Sequence, residues 1–305
     1  MGYGCYVGNV FSGCVAYADD VVLLAPSVTA LRVMIKKVEQ FAKINDISFN
    51  GKKSKILYFS KDKDCQPIRI AVNGDSVEQV CNVNYLGHSI CIDRNDSLVE
   101  CIVKDFNVKV NSVIANFSGI SSIVKHSLYE KYCTSLYGSN FLDFGNEVAI
   151  GTLCRQWRKA MRRIMCLPGK AHSRLLPHIV NTPPINVILM QRFIKFFQSG
   201  LKSRNCTVKH IFENAVGSKS RLGRNFKYIL VTHCSTKPSA VFDENNLCKL
   251  VLKSWLDGCS DEDIRISCQI RELVEERDSL FKNNLSLQQI KDIIEFLCIV
   301  LKLLP

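Results

Sequence analysis

The feature that most constrains this chain of 305 residues is a pair of adjacent carboxylates between two apolar runs. Asp19 and Asp20 lie between residues 14–17 and 21–24, and both runs are rich in β-prone side chains, so the pattern predicts a β-hairpin with its charge at the tip. Adjacent carboxylates repel each other, and at the end of buried strands they usually need a cation. Mg²⁺ suits such a place because it takes hard oxygen ligands and leaves positions open for phosphates. The alternative is a polar turn without further function.

An amphipathic helix is predicted directly after this hairpin. Ser27 is a candidate N-cap, and apolar residues recur at helical spacing up to residue 44. These residues are Leu31, Met34, Ile35, Val38, Phe41 and Ala42. A turn at Asn50-Gly51, a strand over residues 56–59 and a hairpin around Asn73-Gly74 are predicted next. Helices and short hairpins together predict an α+β fold.

The segment Tyr17-Ala18-Asp19-Asp20, followed by Val-Val-Leu-Leu-Ala, resembles the catalytic hairpin of reverse transcriptases. The resemblance is greatest to enzymes of non-LTR (LINE-like, jockey-type) retrotransposons. In these enzymes a helix follows the hairpin and leads to an Asn-x-x-Lys-Ser/Thr-Lys block, which Asn50, Lys53, Ser54 and Lys55 match. The order of the blocks makes the match more specific than the four-residue motif alone.

A later segment, Tyr85-Leu86-Gly87, resembles the primer-grip hairpin of the same family. The resemblance implies that these residues hold the primer's end, and that the glycine allows a close approach of backbone or nucleic acid. The alternative is an ordinary edge hairpin with an aromatic plug.

The resemblance also implies a chemistry. Asp19 and Asp20 would hold Mg²⁺ or Mn²⁺ for two-metal nucleotidyl transfer from a dNTP to a DNA primer on an RNA template. Lys53 would lie near the triphosphate and stabilise the leaving pyrophosphate. The alternative for Lys53 is a solvated turn shared with Lys52 and Lys55.

The family's third metal-binding carboxylate comes from a strand well upstream of the hairpin. Residues 1–16 contain neither Asp nor Glu. We therefore expect a truncated polymerase palm over residues 1–92, a thumb-like helical region over 93–150, a basic helical region over 151–230 and C-terminal helices over 231–305. We expect this chain alone to be inactive as a polymerase.

Charge is concentrated in one of these regions. Residues 151–230 contain 16 Lys and Arg but one acidic residue, a balance that predicts a polyanionic partner. Trp157, Met161, Ile164 and Met165 fall on one helical face, and basic side chains fall largely on the other. These basic residues are Arg155, Arg158, Lys159, Arg162 and Arg163, and we expect them to bind nucleic-acid phosphates. Membrane binding is the alternative for such a helix.

The rest of the sequence restricts the protein's class. No apolar run is long enough for a bilayer, no signal-peptide pattern begins the chain, and 15 cysteines are scattered without a Cys-x-x-Cys motif. We expect an intracellular protein of the cytoplasm, the nucleus or both, with no membrane partner. The resemblance and the basic region together leave two candidate functions: a reverse-transcriptase fragment, or a non-catalytic RNA- or DNA-binding protein derived from one.

Overall fold

The computed structural model describes residues 2–59, 68–91, 96–234 and 244–281. These residues combine helices with small β-sheets, which confirms the predicted α+β class. The helices are α1 (Val28–Ile44), α2 (Asp96–Asn116), α3 (Ser122–Tyr132), α4 (Glu147–Ile164), α5 (Leu176–Ile179), α6 (Ile185–Leu201), α7 (Cys206–Val216), α8 (Arg221–Ile229), α9 (Glu244–Leu256) and α10 (Asp261–Phe281). The strands are β1 (Tyr6–Val7), β2 (Val10–Phe11), β3 (Cys14–Tyr17), β4 (Asp20–Leu23), β5 (Lys55–Ile56), β6 (Ala71–Val72), β7 (Asp75–Ser76), β8 (Glu78–Gln79), β9 (Asn82–Tyr85) and β10 (His88–Cys91).

The chain divides into two compact units. The hairpin unit comprises Met1–Ser97 and Phe197–Gly223, and the helical unit comprises Leu98–Phe196 and Arg224–Pro305. The basic region predicted over residues 151–230 therefore contributes residues to both units.

Every sheet among the described residues of the hairpin unit has two strands. Four are antiparallel hairpins (β1–β2, β3–β4, β6–β7 and β9–β10), and β5 pairs with β8 in parallel. A small core forms where Ile56, Ile70 and Val77 meet side chains of α1, among them Leu31 and Ile35. The sheets are thus too small to cover each other, and one helix supplies much of the cover.

Helix α1 begins and ends as its sequence predicts. The Ser27 side chain accepts a hydrogen bond from the Ala30 backbone N at 3.2 Å, which satisfies one of the free N–H groups of the first turn. Met34 and Ala42 are buried. Phe41, predicted on the buried face, is 60% exposed, so that prediction is wrong. The core that α1 covers lies against its N-terminal half, and Phe41 lies beyond it.

The predicted Asn-Gly hairpin is confirmed. Asn73 and Gly74 both have positive φ, 50° and 85°, as a two-residue type I′ turn requires. The strand predicted over residues 56–59 is shorter and earlier than expected, because only Lys55 and Ile56 find a partner strand.

The core of the helical unit surrounds α4. Trp157, Met161 and Ile164 are almost fully buried, and Phe193 and Leu176 from α6 and α5 are equally enclosed. Apolar faces of several helices meet here, so each helix covers the face that its neighbour would otherwise expose to water.

A buried ion pair joins three helices of this unit. Arg277 on α10 donates to the carbonyl oxygens of Met165 (3.1 Å) and Cys166 (3.2 Å), which end α4, and to its neighbour Asp278 (3.0 Å). The Asp278 carboxylate accepts a hydrogen bond from the Ser122 backbone N at the start of α3. The pair therefore satisfies free backbone groups at two helix ends.

Apolar residues at helical spacing over residues 124–141 predict a single helix, but α3 ends at Tyr132 and a short 3₁₀ turn occupies Ser139–Phe141. The aromatic residues of this segment were predicted to lie in the core, but Tyr132, the last residue of α3, and Tyr137, beyond its end, are exposed. The sequence also predicts helices over residues 261–281 and 287–304; the first matches α10, and the second lies outside the described residues.

None of the helices in the described part of the chain combines the length and the apolar composition needed to cross a bilayer.

Candidate functional site

The acidic pair lies at the tip of the hairpin formed by β3 and β4. Tyr17 pairs with Asp20, which leaves Ala18 and Asp19 as a two-residue loop. Ala18 has φ 52°, a left-handed conformation that costs a non-glycine residue about 1–2 kcal/mol. Asp19 thus belongs to the loop and Asp20 to the first position of β4, so both carboxylates stand at the same end of the hairpin.

Both carboxylates are exposed, and neither makes an ion pair with any described residue. The strands behind them are also exposed, including Val15 at 47% and Tyr17 at 64%. The acidic pair of this chain therefore does not end buried strands. Within the described residues the β3–β4 sheet has no third strand, and a two-stranded sheet leaves much of its surface in contact with water.

The donor set of the tip suits a hard cation. Two carboxylates on one tight loop offer the oxygen ligands that Mg²⁺ and Mn²⁺ take, with water or phosphate oxygens completing the shell. No group of three or more His, Cys, Asp and Glu able to hold a metal occurs within the described ranges. Asp19 and Asp20 can therefore supply two of a cation's ligands but not a complete set.

Lys53 lies in a turn fixed by Asn50. The Asn50 side-chain oxygen accepts from the Lys53 backbone N at 3.1 Å, and the Asn50 carbonyl accepts from the Ser54 hydroxyl at 2.8 Å. Lys53 is exposed, whereas Lys55 forms an ion pair with Glu78. No hydrogen bond or ion pair links Lys53 with the acidic pair, so the structure fixes its backbone but not a contact with that site.

The segment Tyr85-Leu86-Gly87 forms the end of the β9–β10 hairpin. Tyr85 pairs with His88, and the loop residues Leu86 and Gly87 have φ 49° and 77°. A Cβ atom on Gly87 would meet nothing within 4 Å among the described residues beyond its two chain neighbours, so that side of the glycine is open. Leu86 is exposed although its backbone conformation disfavours an apolar side chain.

The basic helix α4 has the predicted amphipathic arrangement. The Asn146 side chain caps its start by accepting from the Ala149 backbone N at 3.1 Å, and Arg162 and Arg163 in its last turn complement the helix dipole. One face is buried, as the sequence predicts. Arg155, Lys159 and Arg163 are exposed on the other face, and Arg158 and Arg162 are half-buried.

Arg155, Arg162 and Arg163 have uncharged hydrogen-bond partners. Arg155 donates to the Thr152 hydroxyl at 2.8 Å, and Arg163 donates to the Asn111 side-chain oxygen at 2.7 Å. Arg162 donates from Nε and Nη2 to the Ala171 carbonyl at 3.1 and 2.7 Å. No carboxylate among the described residues forms an ion pair with any of the five. The positive charge of α4 is therefore not neutralised locally.

Arg162 differs from the other four in its surroundings. Its Nη2 atom also donates to the Ser173 hydroxyl at 2.8 Å. Burial, and then the neighbouring charge of Arg158, lower the pKa of Arg162 from its ordinary value.

Sequence reasoning missed Arg277 and Asp278, which hold the end of α4. Adjacent Arg and Asp residues in a highly charged helix normally indicate a solvated surface, so the sequence pattern carries no signal of their burial.

Comparisons with protein-family models, with curated proteins and with solved structures gave no match to this chain.

Proposed function

We propose that this chain is the end of the palm, the thumb and the following region of a LINE-like reverse transcriptase, an RNA-directed DNA polymerase. The observation that supports the proposal most directly is the β3–β4 hairpin, which presents Asp19 in its loop and Asp20 at the start of β4, with no ion pair to a described residue. The capped helix α1, the turn at Asn50 and the β9–β10 hairpin follow in the order that the family's blocks take.

In the complete enzyme, Asp19 and Asp20 hold the catalytic Mg²⁺ or Mn²⁺. When bound, the metal neutralises phosphate charge and activates the primer's 3′ oxygen. The two carboxylates orient the cation at the hairpin tip. Lys53, whose backbone Asn50 fixes, provides a positive charge for the leaving pyrophosphate of the dNTP, and Tyr85, Leu86 and Gly87 position the primer on the RNA template.

The chain alone is expected to bind the metal weakly and to extend no primer. Two exposed carboxylates leave most of the coordination shell to water, and a two-metal reaction needs further ligands to fix both ions. Primer extension on an RNA template by the purified chain with Mg²⁺ would refute this expectation.

Paramagnetic Mn²⁺ tests the metal site directly. In a titration followed by NMR, we expect the amide signals of residues 18–21 to broaden at lower Mn²⁺ concentration than those of other residues. This difference should disappear in the variant Asp19→Asn/Asp20→Asn. The matched control is Asp46→Asn, because Asp46 is an exposed carboxylate in the same unit with φ 55°, which Asn tolerates. Equal broadening around Asp46 and around the tip would reject the metal site.

The second candidate function is non-catalytic RNA or DNA binding through α4. Five cations without a carboxylate partner favour it, since such a surface attracts a polyanion. The two candidates separate in one assay: nucleic-acid binding that is unchanged in Asp19→Ala but lost when the cations of α4 are neutralised supports the second. Binding that depends on Asp19 and on Mg²⁺ supports the first.

A further inference from the structure

The five cations of α4 divide into two groups by their surroundings. Resting on the second candidate function, we infer that Arg155, Arg158, Lys159 and Arg163 form a surface that contacts the phosphate backbone of a nucleic-acid duplex. We infer in addition that Arg162 is a positioning residue that holds the following loop against the helix.

The spacing of the four contact residues matches a short stretch of backbone. They occur at i, i+3, i+4 and i+8, which places them on one face of α4. The stretch from residue 155 to residue 163 is about 12 Å long at a rise of 1.5 Å per residue. One strand of a duplex carries a phosphate about every 3.4 Å of axis, so this face can reach about three or four phosphates.

Arg162 has its donors directed at the protein. Its guanidinium spans the Ala171 carbonyl and the Ser173 hydroxyl. The loop that it holds continues to Arg174, which forms an ion pair with Asp263 of α10 at 3.0 Å. Since a buried carbonyl without a partner is costly, removal of Arg162 should loosen this loop.

The apolar face of α4 excludes a lipid surface as the favoured partner. A helix that binds a membrane inserts its apolar face, but Trp157 is 1% exposed and Met161 and Ile164 are fully enclosed by the helical unit. Only the charged face remains for a ligand, and phosphates are its natural partners.

The exposed face of α4 has no aromatic side chain. Trp157 is the sole aromatic residue of α4 and is buried, so the helix offers no ring on which a base of a single strand can stack. Long cations that contact phosphates position a protein on a duplex without reading sequence. We therefore infer that binding is independent of sequence.

The salt dependence of binding tests the division. Using the full chain and a fluorescent duplex of about 20 base pairs, we expect log K against log[salt] to have a slope of about −3.6, which is −0.9 for each of four phosphates. Each single variant Arg155→Gln, Arg158→Gln, Lys159→Gln and Arg163→Gln should make the slope shallower by about 0.9. Each variant should also bind about eightfold more weakly at 0.1 M salt, because one phosphate contact contributes to K a factor that varies with the salt concentration to the power of about −0.9. A duplex of a second sequence should give the same values.

Conservative variants separate contact from positioning. Arg158→Lys keeps the charge and should keep the slope. Arg162→Lys and Arg162→Gln should both lower the melting temperature, since neither restores the fork, and both should leave the slope within about 0.3 of the wild-type value. If the slope becomes shallower in Arg162→Gln and returns to the wild-type value in Arg162→Lys, Arg162 contacts a phosphate and is not a positioning residue.

The outcomes also distinguish this inference from the function on which it rests. A wild-type chain that binds neither a duplex nor a single strand at low salt rejects the second candidate function itself, whereas binding to a single strand but not to a duplex retains that function and overturns the inference. A chain that binds with a slope unaffected by the four Gln variants retains that function but overturns the inference. Tight binding to vesicles of phosphatidylserine without binding to the duplex would show that the face contacts lipid.

Discussion

The two units of this protein treat their apolar side chains in opposite ways. In the hairpin unit, Tyr3, Tyr6, Phe11, Val15 and Tyr17 are all exposed, although they belong to or adjoin β-strands. In the helical unit, the large residues Trp157, Tyr129, Phe193, Met161 and Leu176 are almost completely buried. Large apolar side chains are therefore enclosed in one unit and partly exposed in the other.

The difference has a geometric cause. An amphipathic helix needs one neighbour to cover its apolar face, and α4 finds several within its own unit. A strand presents side chains on both faces and needs further strands and a covering layer, but each sheet of the described residues has two strands, and α1 covers only the small core at Ile56, Ile70 and Val77. Hence the helical unit is expected to contribute most of the stability, and the hairpins are expected to open more readily.

The largest expected effect contrasts one aromatic residue in each unit. Trp157→Ala should destabilise the helical unit by about 3–5 kcal/mol, because it empties a large enclosed volume. Phe41→Ala should change stability by no more than about 0.5 kcal/mol, since Phe41 is largely exposed. Urea unfolding followed by circular dichroism measures both, and equal losses would contradict the contrast.

The buried ion pair should come next. Arg277 is 3% and Asp278 8% exposed, so Arg277→Met leaves a carboxylate without its cation and two carbonyls without their donor. We expect the free energy of unfolding to fall by about 3 kcal/mol. This is the lower end of the cost of breaking a buried ion pair, because the Ser122 backbone N still donates to Asp278.

A double-mutant cycle isolates the pair. The variant Arg277→Met/Asp278→Asn should recover part of the loss, since the uncompensated charge is removed with its partner. A double variant whose loss equals the sum of the two single losses would show that the two side chains act independently.

A smaller effect is expected at the start of α1. Ser27→Ala removes the hydrogen bond to the Ala30 backbone N and should cost about 1 kcal/mol. Hydrogen exchange of the α1 amides measures this locally, and Ser48→Ala, at an exposed serine of the same unit, is the control. Faster exchange in both variants alike would show that the cap contributes nothing specific.

The smallest change should be a gain in the β9–β10 hairpin. Leu86→Asn replaces an apolar residue at φ 49° with one that tolerates this conformation and creates the favoured Asn-Gly turn. We expect this hairpin to be stabilised by less than about 1 kcal/mol, measured as slower hydrogen exchange of the β9 and β10 amides, whereas Leu86→Ala should give no stabilisation. If the strain serves to hold a primer, as the proposed function implies, the more stable variant should lose function in the complete enzyme.

Local signals in the sequence were sufficient for many elements. The Ser27 cap, the Asn73-Gly74 turn and the bounds of α10 depend on a few neighbouring residues, so their prediction needed no tertiary information. The exposure of Phe41 and the early end of α3 could not be predicted this way, because both depend on where a neighbouring element stops.

The candidate sites show the same limit. That Asp19 and Asp20 lie at a hairpin tip follows from the two apolar, β-prone runs that flank them, but the exposure of the strands behind them depends on the number of strands in the sheet. The spacing of the cations on α4 predicts one basic face. Which of these cations binds the protein itself depends on the tertiary structure, because a loop brings the Ala171 carbonyl back to Arg162.

The sequence by itself determined the type and order of the elements, the acidic turn and the concentration of positive charge, because these follow from backbone preferences and spacing within a few residues. Tertiary structure alone decided which apolar faces are covered, that Arg277 and Asp278 are buried, and which cations of α4 remain available to a ligand. Burial and hydrogen-bond partners are set by residues far apart in the chain, here more than a hundred positions between Arg277 and the carbonyls that end α4.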